Sequence, residues 1–252
     1  MDFTLRKYKT LLNILKSTGH DFLRFDQFLE SHSDRSIILR HDVDARNLNS
    51  LIFARLQHEL GISGTFYFRM VKGSYDAAII KEISDMGHEI GYHYEDMDFA
   101  NGDIQLAVEL FEKHLSILRE VATIKTICMH GSPRSKFDNR EIWKAIDYKK
   151  YGIIGEPYFD LNFNEICYFT DTGRSWNGAS HSVRDKVSSN ENWPAVESTD
   201  DIIDLVVKNN FPQKVMFNFH PQRWNDSLLL WLWEKYYQSF KNSVKRNFYV
   251  RN

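Results

Sequence analysis

Asp42 and Asp44, in the run Leu39-Arg40-His41-Asp42-Val43-Asp44, are two carboxylates separated by a single residue. In an extended chain, side chains alternate between faces, so residues two apart share a face and these two acids can serve one site. The pairing suits a division of labour in which one carboxylate holds a divalent metal and the other takes a proton from the water beside it. The alternative for Asp44 is to cap a helix starting near Arg46. The same parity sets His93 and Glu95 on one side, and imidazole beside carboxylate is a nitrogen-and-oxygen donor set for zinc or a similar ion. His130 in His130-Gly131-Ser132-Pro133, Asp171 in Asp171-Thr172-Gly173, and His220 in His220-Pro221-Gln222-Arg223-Trp224 complete the chemistry-bearing groups. A buried histidine can also simply satisfy a carbonyl, and Asp171 can serve a turn. His88 reads as structural. His20, His32, His58, His114 and His181 have no carboxylate company and are assigned no role.

Groups this far apart in sequence meet only if the elements carrying them end at one place. Short apolar runs rich in Ile, Val, Phe and Tyr alternate with stretches of helical period, the pattern of repeated strand-helix units around a mostly parallel sheet. The candidate strands are Ile37 to Arg40, Gly64 to Phe68, Glu89 to His93, Thr126 to His130, Gly152 to Gly155, Ile166 to Thr170 and Lys214 to Phe219. Helical period runs through RNLNSLIFARLQHEL, SYDAAIIKEISDM, GDIQLAVELFEKHLSILREV, NREIWKAI, TDDIIDLVVKN and DSLLLWLWEKYYQSFKNSV. The expected fold class is α/β, a distorted, incomplete (β/α)7-type barrel spanning residues 1–252 as one domain, with residues 1–33 a helical extension packed on it. An open doubly wound sheet has the same periodicity. In parallel folds the chemistry lies at the C-terminal ends of the strands, where these acids and histidines stand. The aperiodic stretch from Thr172 to Pro194 is a candidate active-site loop.

The 252 residues, 42% hydrophobic and 26% charged, exclude a disordered or low-complexity chain. Thirty-four acidic residues against thirty-two basic ones, with Lys and Arg scattered, argue against a nucleic-acid surface. No apolar run approaches the roughly 20 residues needed to span a bilayer; the most hydrophobic, Leu228 to Trp233, is followed by Glu234 and Lys235. The N-terminus is broken by Arg6, Lys7, Lys9 and Lys16, unlike a secretion signal, so a cytoplasmic protein is expected. Cys128 and Cys167 sit in strand-like segments and read as buried core thiols.

Leu39-Arg40-His41-Asp42-Val43-Asp44, Gly87-His88-Glu89-Ile90-Gly91-Tyr92-His93 and Asn218-Phe219-His220-Pro221 resemble, in order, motifs of the polysaccharide deacetylase family, also called the NodB-homology or carbohydrate esterase family 4 group. The resemblance spans about Ile37 to Trp224, and the HDVD form is like that of the family's more divergent branches. It implies a distorted barrel and a hydrolase that removes acetyl groups from N-acetylated sugars with a divalent metal, usually zinc. Carried over by position, it makes Asp42 the general base, Asp44 and His93 metal ligands, and His220 the general acid, oriented by Asp171. The family's further metal-binding histidine, four residues after the first, falls here on Met97, so His130 is the first candidate replacement and Glu95 the second. Arg40 or Arg134 is left to orient the base. Tyr94, Trp176, Arg223 and Trp224 are candidate substrate-binding residues at the mouth, and the expected partner is a carbohydrate or small amide, with surface polysaccharide biosynthesis the setting that fits the family. Two readings compete: a catalytically silent carbohydrate-binding relative, which Met97 favours, and a metal hydrolase of another amide, ester or phosphate bond.

Overall fold

The structure, a computed structural model, describes residues 1–31, 33–132, 135–176, 187 and 193–248. Seven strands form one sheet: β1 (Asp21–Leu23), β2 (Ser36–Val43), β3 (Thr65–Phe68), β4 (Glu89–Tyr94), β5 (Ile124–Met129), β6 (Cys167–Thr170) and β7 (Lys214–Phe219). Their order is β5-β4-β3-β2-β7-β6, with β1 beside the start of β2, and all the pairings are parallel. Helices α1 (Leu5–Lys16), α2 (Phe25–Glu30), α3 (Asn47–Glu59), α4 (Ala77–Asp85), α5 (Asp96–Phe99), α6 (Ile104–Arg119), α7 (Pro157–Asp160), α8 (Thr199–Val207) and α9 (Leu228–Phe248) flank it.

Among the described residues β5 and β6 do not pair, so the sheet stays open and the barrel is incomplete. The segment expected as a strand from Gly152 to Gly155 lies in this gap and is not one. A 3-10 turn, Tyr148–Tyr151, ends with Gly152 at φ 70, leaving only Ile154 and Gly155 to hydrogen-bond β5 before Pro157 opens α7. The NREIWKAI stretch likewise forms a 3-10 helix, Asn139–Lys144, instead of an α-helix. Residues 1–33 hold more than helices. Asp21, Phe22 and Leu23 pair with Ser36, Ile37 and Ile38, so this segment contributes a strand to the sheet.

All eight residues of β2 are buried, as parallel strands covered on both faces require. Alternation then sorts them. Leu39, His41 and Val43 face the helices. There His41 stacks on Phe66 at 4.1 Å and meets Tyr8 and Gln57. Ile38, Arg40 and Asp42 face the interior, where Phe25, Ile38, Tyr67, Cys128, Phe163, Ile166 and Met216 form an apolar floor. With every strand parallel, the C-terminal ends emerge together above that floor.

Candidate active site at the strand ends

Three elements bring Asp42, His93 and Asn218 together above the floor. Tyr67 of β3 lies in register with Asp42 of β2 and Gly91 of β4, and Arg40 with Asn218 of β7. Arg40 grips Asp42 in a fork, Nε to Oδ1 at 2.9 Å and Nη2 to Oδ2 at 2.7 Å, and Asn218 Nδ2 donates to Oδ2 at 3.1 Å. Burial alone would raise the Asp42 carboxyl, but the adjoining guanidinium holds it well below the usual carboxylate range. Of the two arginines expected beside Asp42, Arg40 stands there; Arg134 lies outside the described residues.

Asp44 stands just past the strand, its N–H turned back to Asp42 O at 3.1 Å. It does not cap α3, whose N-cap is Arg46. Its Oδ1 is buried without a hydrogen-bond partner and lies 3.7 Å from His93 Nε2 and 3.6 Å from His130 Nε2. Its Oδ2 lies 3.9 Å from His220 Nε2 and accepts from Gln222 Nε2 at 3.2 Å. Burial would raise this carboxyl too, but the surrounding His130, His220, His93 and Arg69 bring it down to about 2.

Each histidine is aimed by what its other nitrogen touches. His93 Nδ1 meets Cys128 O at 2.9 Å; a carbonyl only accepts, so the neutral ring carries its proton there and leaves a lone pair on Nε2. Burial lowers His93 to about 4 in spite of Asp42, which keeps the ring neutral at pH 7. His130 Nδ1 lies 2.9 Å from Glu95 Oε2, at ion-pair distance but outside hydrogen-bond alignment. Glu95 is itself forked by Arg69 at 2.8 and 2.7 Å. Glu95, expected as a possible ligand, thus stands behind His130. His220 Nδ1 lies 2.5 Å from Asp171 Oδ1, and Asp171 also accepts from His220 N at 3.0 Å, Arg223 Nη1 at 3.0 Å and Trp224 Nε1 at 2.7 Å. Burial would raise Asp171; His220 and Arg223 lower it.

The arrangement offers a donor set for a metal. Two ligand atoms each about 2.1 Å from one ion are roughly 3.4 to 3.6 Å apart at tetrahedral to trigonal angles. The unpartnered Asp44 Oδ1 comes close to that spacing from His93 Nε2 and from His130 Nε2 in turn, and one oxygen with two imidazoles suits zinc or a neighbouring first-row ion. Among the described residues, the groupings whose ligand-type atoms all lie within 4.8 Å of one another are Asp42, His93 and Cys128, and Glu95, Asp98 and His130; Asp44 is in neither. In the first, Arg40 and Asn218 already occupy Asp42; in the second, Arg69 occupies Glu95. Met97 cannot contribute: after Glu95 the chain turns into α5, and its side chain is buried in the core.

The residues expected to bind substrate lie elsewhere. Trp224 is fully buried beside Asp171, and Trp176 donates to Thr199 Oγ1 at 2.9 Å within a cluster of Phe3, Phe217, Phe219 and Trp224. Arg223 clamps Asp171, and Tyr94 points away from His93 to pack on Trp143. All four sit behind the site because aromatic and guanidinium groups were needed for packing and anchoring there. The candidate loop from Thr172 to Pro194 lies mostly outside the described residues. His114, read as lacking a carboxylate, is 2.7 Å from Asp96. Reading the residues alone missed Asn218, Gln222 and Arg69. Asn218 had a signal, since it shares parity with His220; Arg69 follows directly on β3, a strand end at which no candidate was sought.

No protein-family model matches the chain, and no curated protein matches it. Among solved structures it is similar to a CE4 family pseudoenzyme from Bacillus anthracis, at 13% identity and a TM-score of 0.44, covering 86% of this chain and 63% of that one. The chain thus spans less than two thirds of that protein's length. A family 4 carbohydrate esterase from Streptomyces lividans, solved with acetate, gives 14% identity, a TM-score of 0.42, and coverage of 83% and 91%. The family 4 carbohydrate esterase PdaA of Bacillus subtilis gives 13%, 0.41, and 95% and 85%.

Proposed function

We propose that the protein is a metal-dependent hydrolase that removes an acetyl group from an N-acetylated sugar or a related amide, in the setting of surface polysaccharide biosynthesis. The observation that carries this reading is the unpartnered, buried Asp44 Oδ1 facing His93 Nε2 and His130 Nε2, with a separate acid-base pair on either side. Asp44, His93 and His130 would hold the ion, zinc or another first-row divalent metal, which when bound supplies a Lewis acid and an acidified water. Asp42, kept charged and fixed in orientation by Arg40, takes the proton of the attacking water. His220 hands a proton from Nε2 to the leaving amine, and Asp171 on its Nδ1 fixes that direction. Glu95 and Arg69 are positioning residues for His130.

The test is elemental analysis of protein purified without chelators, paired with acetate release from N-acetylated chito-oligosaccharides. About one equivalent of metal is expected. His130→Ala loses the metal; Glu95→Ala weakens its retention by about 10- to 100-fold, as removal of a group supporting a ligand does. Asp42→Asn keeps the metal while turnover falls by about 100-fold or more. Absence of metal even after supplementation would overturn the reading, and loss of metal in Asp42→Asn would overturn the division of roles.

A further inference from the structure

The C-terminal helix α9 turns its apolar side outward. At about 100° per residue, Leu229, Trp233, Tyr236 and Phe240 fall within about 60° of arc. They are 79%, 52%, 70% and 69% exposed. On the opposite side Trp231 Nε1 donates to Asp2 O at 2.7 Å, Glu234 is buried 3.6 Å from Arg46, Gln238 is buried, and Asn242 donates to Gly173 O at 2.8 Å. A helix that stabilises a domain does the reverse and buries its apolar stripe. Here polar contacts hold the helix to the protein and leave the stripe for another surface.

The chemistry of the stripe and its borders selects that surface. Trp and Tyr, apolar bodies with polar tips, are the side chains favoured at a membrane-water boundary, and Leu229 and Phe240 add hydrocarbon. Lys235 and Lys241 project about 120° to either side of the stripe. Lys245, Arg246 and Arg251 follow in the sequence, and the one acid between residues 228 and 252, Glu234, is buried beside Arg46. A cationic border complements anionic lipid headgroups, whereas two copies meeting through this face would oppose like charges. Among the described residues no helix is long and apolar enough to cross a membrane.

We infer that α9 is an interfacial helix that seats the protein on an anionic bilayer, its stripe at the headgroup-acyl boundary and its lysines at the level of the phosphates. Two of its anchors on the protein, Arg46 and the turn Thr172–Arg174, begin within two residues of Asp44 and Asp171, so this seating sets the strand-end site beside the lipid surface. On the hydrolase reading above, a lipid-borne acetylated amide is then the substrate class; the seating itself does not depend on that reading.

Flotation with phosphatidylcholine vesicles, with and without phosphatidylglycerol, tests it independently of turnover. The intact protein floats with the mixed vesicles and less with the neutral ones. Lys235→Glu/Lys241→Glu weakens binding to mixed vesicles by about tenfold or more. Leu229→Ser/Tyr236→Ser/Phe240→Ser abolishes flotation, with an unchanged thermal midpoint because the stripe faces solvent. Failure of the intact protein to float overturns the inference, as does flotation that neither variant diminishes. So does a concentration-dependent dimer, lost in the serine variant, in the absence of vesicle binding.

Discussion

Asp42 and Asp44 stand two residues apart, yet their surroundings differ in the way their proposed roles require. Asp42 has both oxygens engaged by Arg40 and Asn218, while Asp44 keeps Oδ1 free of any hydrogen bond among three imidazoles. The Arg40–Asp42 pair is fully enclosed, so each charge depends on the other. Arg40→Met leaves a carboxylate buried without its counter-charge and should lower stability by about 3 to 5 kcal/mol. Arg40→Met/Asp42→Leu, which removes both charges, should recover most of that loss. Urea unfolding of the two variants measures it, and a single-variant cost under about 1 kcal/mol would mean that Asn218 and His93 suffice to hold Asp42.

At the scale of elements, β4 and β5 decide where the third proposed ligand comes from. Ile90 pairs with Ile124 but Tyr92 pairs with Ile127, so β5 carries one extra residue between them. Such a bulge inverts the facing of everything after it. It puts Cys128 opposite His93 on the interior side, and His130, two residues on, beside Asp44. Without it, His130 would face the helices. Gly91 in β4 is fixed by a close approach: a Cβ there would meet the Tyr67 ring at 2.2 Å. Gly91→Ala should therefore cost about 1 to 3 kcal/mol through overpacking. Because His93 is two residues further on the same face, metal affinity should fall with it. Thermal denaturation and metal titration read the two effects, and an alanine variant of unchanged stability would show that Tyr67 moves freely.

For the whole molecule, the buried titratable groups set the pH dependence of stability. Burial lowers His41 to about 3, and His88 and His93 to about 4, so between there and 6.5 the unfolded chain binds more protons and acidification favours unfolding. Glu89 and Glu156, raised by burial to about 7, act oppositely from 4.5 to 7, where the folded state holds the extra protons. The three histidines outweigh the two glutamates by about one proton between about 4.5 and 6.5, so acidification there lowers stability gently. Below 4.5 the glutamates are protonated in both states and contribute nothing further. His41 and Asp44, the latter lowered from 3.8 to about 2, still favour unfolding as protons bind. Urea midpoints across pH 3 to 8 should fall gently between about 6.5 and 4.5 and drop more steeply below about 4.5. A stability maximum near pH 4 would contradict this balance.

The residue types and their spacing determined the strand-helix alternation, the placing of acids and histidines at strand ends, and the pairing of Asp42 with Asp44. Those follow from local periodicity, which each segment carries by itself. The tertiary structure decided what depends on neighbours remote in sequence. The three-residue strand in residues 1–33 exists because β2 offers it an edge. Whether β5 brings His130 inward depends on a bulge, and a bulge is a relation between two strands. Trp176, Trp224, Tyr94 and Arg223 have the composition of a sugar-binding mouth, but an aromatic or guanidinium group serves a core or an anchor equally well. Only packing against Phe219, Asp171 and, for Tyr94, Trp143, from other parts of the chain, chose between those fates.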